Sequence, residues 1–211
     1  MVLNGPALGA SEAETFGSAT MRLNFLGPDR PDISFTCKEV ARAMACRNRT
    51  ALESAKRQVR YLLGARRLVW VYKRQPMVTK LTCFTDANWA GCLTTRRSTT
   101  CVALFHGDHL VKLSSQTQIP VAISVGESEF YALTKGAAQA LGLQSICIDW
   151  GLSYAVDIHT DSSSSIGTAS RRGAGKLRHI ETPLLWIQQI IAKRAVTLRK
   201  TLGIKNPSRR Q

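Results

Sequence analysis

"KLTCFTDANWAG" (residues 80–91) places one carboxylate, Asp86, at the end of an apolar run. Asp86 is the only acidic residue between Glu53 and Asp108. The short apolar run before it predicts a strand. The strand is expected to stop near Gly91. An Asp before Ala-Asn at a strand end has an ordinary use as a turn residue. The alternative is chemical, and it depends on whether other carboxylates converge on Asp86.

Working outward, "STTCVALFHGDHLVKLSS" (98–115) predicts a hairpin turning at "HGDH". "SVGESEFYALTKGAAQALGL" (124–143) predicts a helix with Phe130, Leu133, Ala137 and Leu141 on one side. "YAVDIHTD" (154–161) predicts a strand, "SSSSIGTASRR" a helix start, "TPLLWIQQIIAKR" a helix and "AVTLRKTL" a last strand. Strands and helices in this order imply an α/β domain on a mixed sheet. Upstream, residues 1–29 are rich in Gly, Ala and Ser and predict a poorly ordered lead-in. "RPDISF" (30–35) predicts a turn, Cys37–Ala45 a helix, and "TALESAKRQVRYLLG" (50–64) a second helix opened by a Thr50/Glu53 capping box and closed at Gly64. "RLVWVY" (67–72) predicts a short strand. The expected organisation is therefore 1–29 lead-in, 30–75 helical segment, 80–205 α/β domain and 206–211 tail.

The chain carries 29 Lys and Arg against 14 Asp and Glu, a formal net charge of +15. Such an excess points to a polyanionic partner, most often nucleic acid. The six cysteines include no CxxC pair, so free thiols in a reducing compartment are expected. His106 and His109 fall in the predicted turn and do not suggest a metal site. No apolar run reaches the length of a membrane span, and the N-terminus lacks a secretory signal pattern. An intracellular location, cytoplasmic or nuclear, is expected.

Most acids have structural uses in turns or on helix surfaces. Three stand apart. Asp86 and Asp161 end strands, and Asp161 has the competing use of capping the helix that follows. Ser124 and Glu127 have capping-box spacing, which assigns Glu127 to the helix start. Glu129 shares a face with Leu133 and Gly136, where a carboxylate is costly unless paired or bound to a cation. Two strand-end Asp residues and one helical Glu in a basic protein suggest a site for hard divalent cations with oxygen ligands. Two such ions can activate water and stabilise the leaving oxygen of a phosphodiester.

The stretches "TDANWAGCLTTRRSTT" (85–100), "SVGESEFYALTKGAAQAL" (124–141), "HTDSSSSI" (159–166) and "RRGAGKLRHIET" (171–182) resemble, in order and spacing, the ribonuclease H domain of copia-type retrotransposon Pol polyproteins. Residues 30–64 resemble the end of the reverse transcriptase region of the same polyproteins. The resemblance implies a ribonuclease H-like α/β fold: a mixed five-stranded sheet with helices on both faces, preceded by a small helical segment. It implies an RNA–DNA hybrid endoribonuclease using two Mg²⁺ (or Mn²⁺) ions, within a larger polyprotein. By position it makes Asp86, Glu129 and Asp161 the catalytic and metal-binding acids, with His179 and Glu181 as auxiliary residues. Trp89 and Ser98 match the motif after the first Asp, where packing is the expected role of Trp89. Arg96 and Arg97 of the same motif, with Arg171, Arg172, Lys176 and Arg178, are the expected nucleic-acid contacts. The family's fourth acid has no counterpart in "GIKNPSRRQ", where Arg209 takes its place. That departure leaves a non-catalytic nucleic-acid-binding remnant of a decayed element as the alternative.

Overall fold

The computed structural model describes residues 5–173, 175, 179 and 182–210. The chain divides into two compact units: residues 1–72 with 92–96, and residues 73–91 with 97–211.

The first unit is built from three helices: α1 (Ala10–Leu26), α2 (Pro31–Arg42) and α3 (Arg49–Gly64). Phe16, Leu23, Ile33, Cys37, Val40, Ala43, Ala51, Leu52 and Ala55 form its core. The expected disordered lead-in is corrected here, because α1 runs through most of it. Its buried positions are Phe16, Gly17, Thr20 and Leu23. They have helical spacing, but two are small or polar, so no apolar stripe marks the helix. The expected turn at 30–35 is instead the start of α2, with Pro31 in the first turn, where a missing N–H costs nothing. α3 is capped by Asn48, whose side chain accepts from the Ala51 N–H at 2.9 Å, and not by Thr50. Residues 67–72 form no strand. Leu68, Val69, Trp70, Val71 and Tyr72 are all exposed, and a run of strand-forming residues without a partner has no ladder to join.

The second unit carries a five-stranded sheet in the order β3-β2-β1-β4-β5. Its strands are β1 (Lys80–Asn88), β2 (Thr99–His106), β3 (His109–Thr117), β4 (Ala155–Thr160) and β5 (Thr197–Lys200). β1 is central, antiparallel to β2 and parallel to β4. The hairpin turns at Gly107, whose φ of +60° is the left-handed conformation such a turn needs. α4 (Val125–Asp149), α5 (Ser163–Ser170) and α6 (Trp186–Ala192) complete the unit. Leu81, Cys83, Val102, Leu104, Val156 and Ile158 of the sheet share one core with Phe130, Leu133 and Ala137 of α4, Ala169 of α5 and Ile187 of α6. This is a mixed five-stranded sheet with helices, the α/β architecture that the order of elements implied.

The expectation of helices on both faces needs one amendment. The three α-helices share the single core above. Near Thr82, Phe84 and Phe105, on the opposite face, the described residues place the 3₁₀ turn Pro207–Arg210. That turn is no loose tail. Asn206 is fully buried; its Nδ2 donates to the Thr85 carbonyl at 2.9 Å, and its Oδ1 accepts from Ser208 N–H and Oγ–H.

α4 crosses β1 closely at Gly136. A Cβ there would collide with Thr85 Cγ2 and press on Cys83 Sγ at 3.2 Å. Only glycine lets the helix lie this near the strand.

Candidate metal centre

Three elements bring carboxylates together. Asp86 lies within β1, opposite Cys101 of β2. The strand continues to Asn88, so Asp86 is not a turn residue. Asp161 immediately follows β4. The parallel register pairs Phe84 with His159, so Asp86 and Asp161 stand two residues beyond the same rung on neighbouring strands. Ser162, and not Asp161, caps α5 by accepting from the Ser165 N–H. Glu129 comes from the first turns of α4 and is 5% exposed. Its Oε1 accepts from the Ala87 N–H at 3.2 Å, which ties the helix to the strand that carries Asp86.

One carboxylate oxygen from each of Asp86, Glu129 and Asp161 lies within 4.8 Å of the others. Like charges at that separation repel by about 3 kcal/mol per pair at an effective dielectric near 20. A divalent cation reverses the sign of that cost. The donor set is entirely carboxylate oxygen, with no imidazole or thiolate, which fits Mg²⁺ or Mn²⁺ and not the nitrogen–sulfur preference of zinc.

Glu127 belongs to another network. The Ser124 side chain accepts from the Glu127 N–H at 3.2 Å, as the capping-box spacing predicts. The Glu127 carboxylate returns to the Ile123 N–H at 3.0 Å, one residue before the cap. Its Oε1 accepts from Tyr131 Oη at 2.5 Å and lies 3.0 Å from His179 Nε2. His179 is thus held on Glu127. The capping-box spacing assigns Glu127 to the cap alone; Tyr131 lies one helical turn on, whereas His179 is too far along the chain for spacing to show.

Around the centre, Trp89 Nε1 donates to the Ala122 carbonyl at 3.0 Å, and Ser98 Oγ accepts from the Ala90 N–H at 3.0 Å. Both bonds tie down the loop after β1; Trp89 itself is 42% exposed, so it is held by its hydrogen bond more than by packing. Arg97 and Arg172 are exposed and Arg171 is half-buried. Arg96, also exposed, belongs to the helical unit and has a φ of +55°. Lys176, Arg178 and Glu181 lie outside the described residues. Buried Asp157 joins three strands through Arg199 Nε at 2.8 Å and Lys80 Nζ at 3.4 Å. His159 beside it titrates below its ordinary range, chiefly because it is buried. All six cysteines are free. Burial pushes the Cys83 thiol up to about 12. Cys92 goes the other way: burial raises it, but hydrogen bonds from Thr95 and from Arg42 Nη2 at 2.7 Å outweigh that and bring it to about 6.

No family model matches the chain. Its relatives do speak to its lineage. It is 33% identical over 125 residues to an uncharacterized mitochondrial protein of Arabidopsis thaliana, covering 59% of the chain and 51% of that relative. It is 25% identical over 182 residues to the retrovirus-related Pol polyprotein from transposon TNT 1-94 of Nicotiana tabacum, covering 85% of the chain and 14% of the relative. The corresponding polyprotein from transposon RE1 of Arabidopsis thaliana is 26% identical over 130 residues, or 62% of the chain and 9% of the relative. The chain is thus similar to parts of two retrovirus-related Pol polyproteins of plant transposons. It spans about half the length of the first of these relatives and a much smaller part of the two Pol polyproteins. Among solved structures, this Pol-related chain is similar to LC11-RNase H1 isolated from compost, at 16% identity and a TM-score of 0.42 over 61% of the chain and 88% of that protein. The foamy viral protease-reverse transcriptase in complex with dsDNA gives 10% identity and a TM-score of 0.42 over 69% of the chain and 29% of that protein. No helix among the described residues of the Pol-related chain is long and apolar enough to cross a membrane.

Proposed function

We propose that the chain is the RNA–DNA hybrid ribonuclease segment of a retrotransposon Pol polyprotein. The observation that carries this reading is the convergence of Asp86, Glu129 and Asp161 within 4.8 Å from the central strand, the helix packed on it and the neighbouring parallel strand. These three side chains would hold two Mg²⁺ or Mn²⁺ ions. Bound there, divalent cations supply activation of a water and stabilisation of the leaving oxygen in phosphodiester hydrolysis. The chain's own residues prepare the site. The Ala87 N–H fixes Glu129, the shared register aligns Asp86 with Asp161, and the basic surface engages the phosphate backbone. Arg97, Arg171, Arg172, Lys176 and Arg178 are the proposed contacts.

The test is direct. Purified chain with Mg²⁺ or Mn²⁺ and an end-labelled hybrid should cut the RNA strand, and Asp86→Asn should lose that activity. No cutting by the wild-type chain at any concentration of either ion would sink the proposal.

A second reading, nucleic-acid binding without turnover, is favoured by one feature. In the tail, where the resemblance leads one to expect a further acid, Asn206 and Ser208 are buried and hydrogen-bonded to each other. That reading predicts salt-sensitive hybrid binding and no cleavage.

A further inference from the structure

Gln118 immediately follows β3 and is 6% exposed. Its backbone N–H donates to the Ser98 carbonyl at 2.8 Å. Its side-chain Nε2 donates twice, to the Ser128 carbonyl at 2.8 Å and to Thr100 Oγ1 at 3.0 Å. Ser98, Thr100 and Ser128 are all buried. The Gln118 side-chain oxygen is buried as well and has no hydrogen-bond partner among the described residues. Burying an unpaired acceptor costs stability, and an apolar side chain of the same size would avoid it. The fold accepts that cost and keeps both donors in use.

The two acceptors explain why. Ser128 immediately precedes Glu129 in α4. Thr100 stands opposite Ala87 in the register of β1 and β2, and the Ala87 N–H is the group that holds Glu129 Oε1. One buried amide therefore grips both ends of the bond between Glu129 and Ala87: the helix backbone behind the carboxylate, and the rung that carries its donor. The circuit closes through Ser98. Its hydroxyl accepts from the Ala90 N–H just past β1, and its carbonyl accepts from Gln118.

We infer that Gln118 is a positioning residue for the carboxylate centre: its amide sets where Glu129 stands relative to Asp86 and Asp161. The inference rests on the reading of that centre as a divalent-cation site in the proposed function. Three like charges within 4.8 Å push one another apart, so the elements that carry them need restraint from behind. Partners behind a metal ligand keep it in its binding geometry, and losing one costs about 10–100-fold in metal affinity.

The experiment measures Mn²⁺ binding to the purified chain from the EPR signal of the free ion, so it needs neither nucleic acid nor turnover. Gln118→Met keeps the length of the side chain and removes both donors. It should weaken Mn²⁺ binding about tenfold. Ile187→Val trims the core at α6 and is the stability control; it should bind as the wild type does. In a Glu129→Gln background Gln118→Met should cost nothing more, because the amide acts through that carboxylate. Should Gln118→Met fail to fold, Gln118→Asn decides in its place: it keeps the amide but sets it one methylene short of Ser128, and it should weaken binding as well. Wild-type affinity in the folded Gln118 variant would overturn the inference and leave the metal centre standing. So would an equal loss in Ile187→Val, or losses that multiply in the double variant. A wild-type chain that binds no Mn²⁺ would overturn the reading of the centre itself, and the inference with it.

Discussion

The helical unit pairs its acids with cations, whereas the sheet unit pairs Asp157 with Arg199 and Lys80 but also gathers three acids on one another. In the helical unit each carboxylate with a described contact meets a cation. A hydrogen bond from Arg30 holds Asp32 below the usual carboxylate range. Burial opposes the charge of Glu39, yet Lys38 and Arg42 keep it low as well. Glu12 and Glu53 pair with Arg49 and Lys56. In the sheet unit, three acids face one another within 4.8 Å. Carboxylates paired with cations, such as Glu39 and Asp157, serve the fold. Carboxylates gathered on one another repel, a cost that proteins keep where chemistry needs it.

The sharpest way to break this contrast is Asp86→Asn. Hybrid cleavage should fall by at least about a hundredfold, while the metal-free protein should become more stable by about 1–3 kcal/mol as repulsion is relieved. Denaturant titration beside a cleavage assay measures both, and a destabilised variant would contradict the account of the centre. Next comes Asn206→Ala, which removes the bond to Thr85 and two from Ser208. It should cost about 2 kcal/mol by the same titration. Were the tail unimportant to the sheet, the midpoint would not move.

Much of this contrast was legible beforehand. The apolar run before Asp86 and the S-x-x-E spacing at 124–127 located β1 and the start of α4, and with them Asp86 and Glu129. Asp161 could be read as ligand or cap until the structure gave the cap to Ser162. What escaped the sequence depended on partners remote along the chain. α1 hides because Gly17 and Thr20 fill its buried face. The 67–72 run reads as a strand because its β-branched and aromatic residues favour one, and such propensity cannot report whether a neighbour pairs with it. The bond between Arg42 and Cys92 joins residues fifty apart.

That last pair offers a test through pH. Cys92 titrates near 6 in the fold, well below an ordinary thiol. Its contribution to stability is therefore full above the unfolded thiol value and is lost as pH falls through 6. Denaturation midpoints of the wild type should decline between about pH 9 and 6, and Cys92→Ser should remove that part of the slope. An unchanged slope would mean the thiolate does not form. The smallest expected effect is Glu39→Gln. Losing a part-buried charge that faces two cations should cost about 1 kcal/mol, opposite in sign to Asp86→Asn. A stabilised Glu39→Gln would erase the contrast between the units.

Gly136 carries a consequence beyond packing. The strand bearing Asp86 and the helix bearing Glu129 touch where Gly136 rides over Thr85 and Cys83. Thr85 is branched and fully buried, so it has little room to yield. A single added methyl would wedge helix from strand and widen the gap across which two of the three acids face each other. The bite of the centre is gauged by an atom the chain does not have.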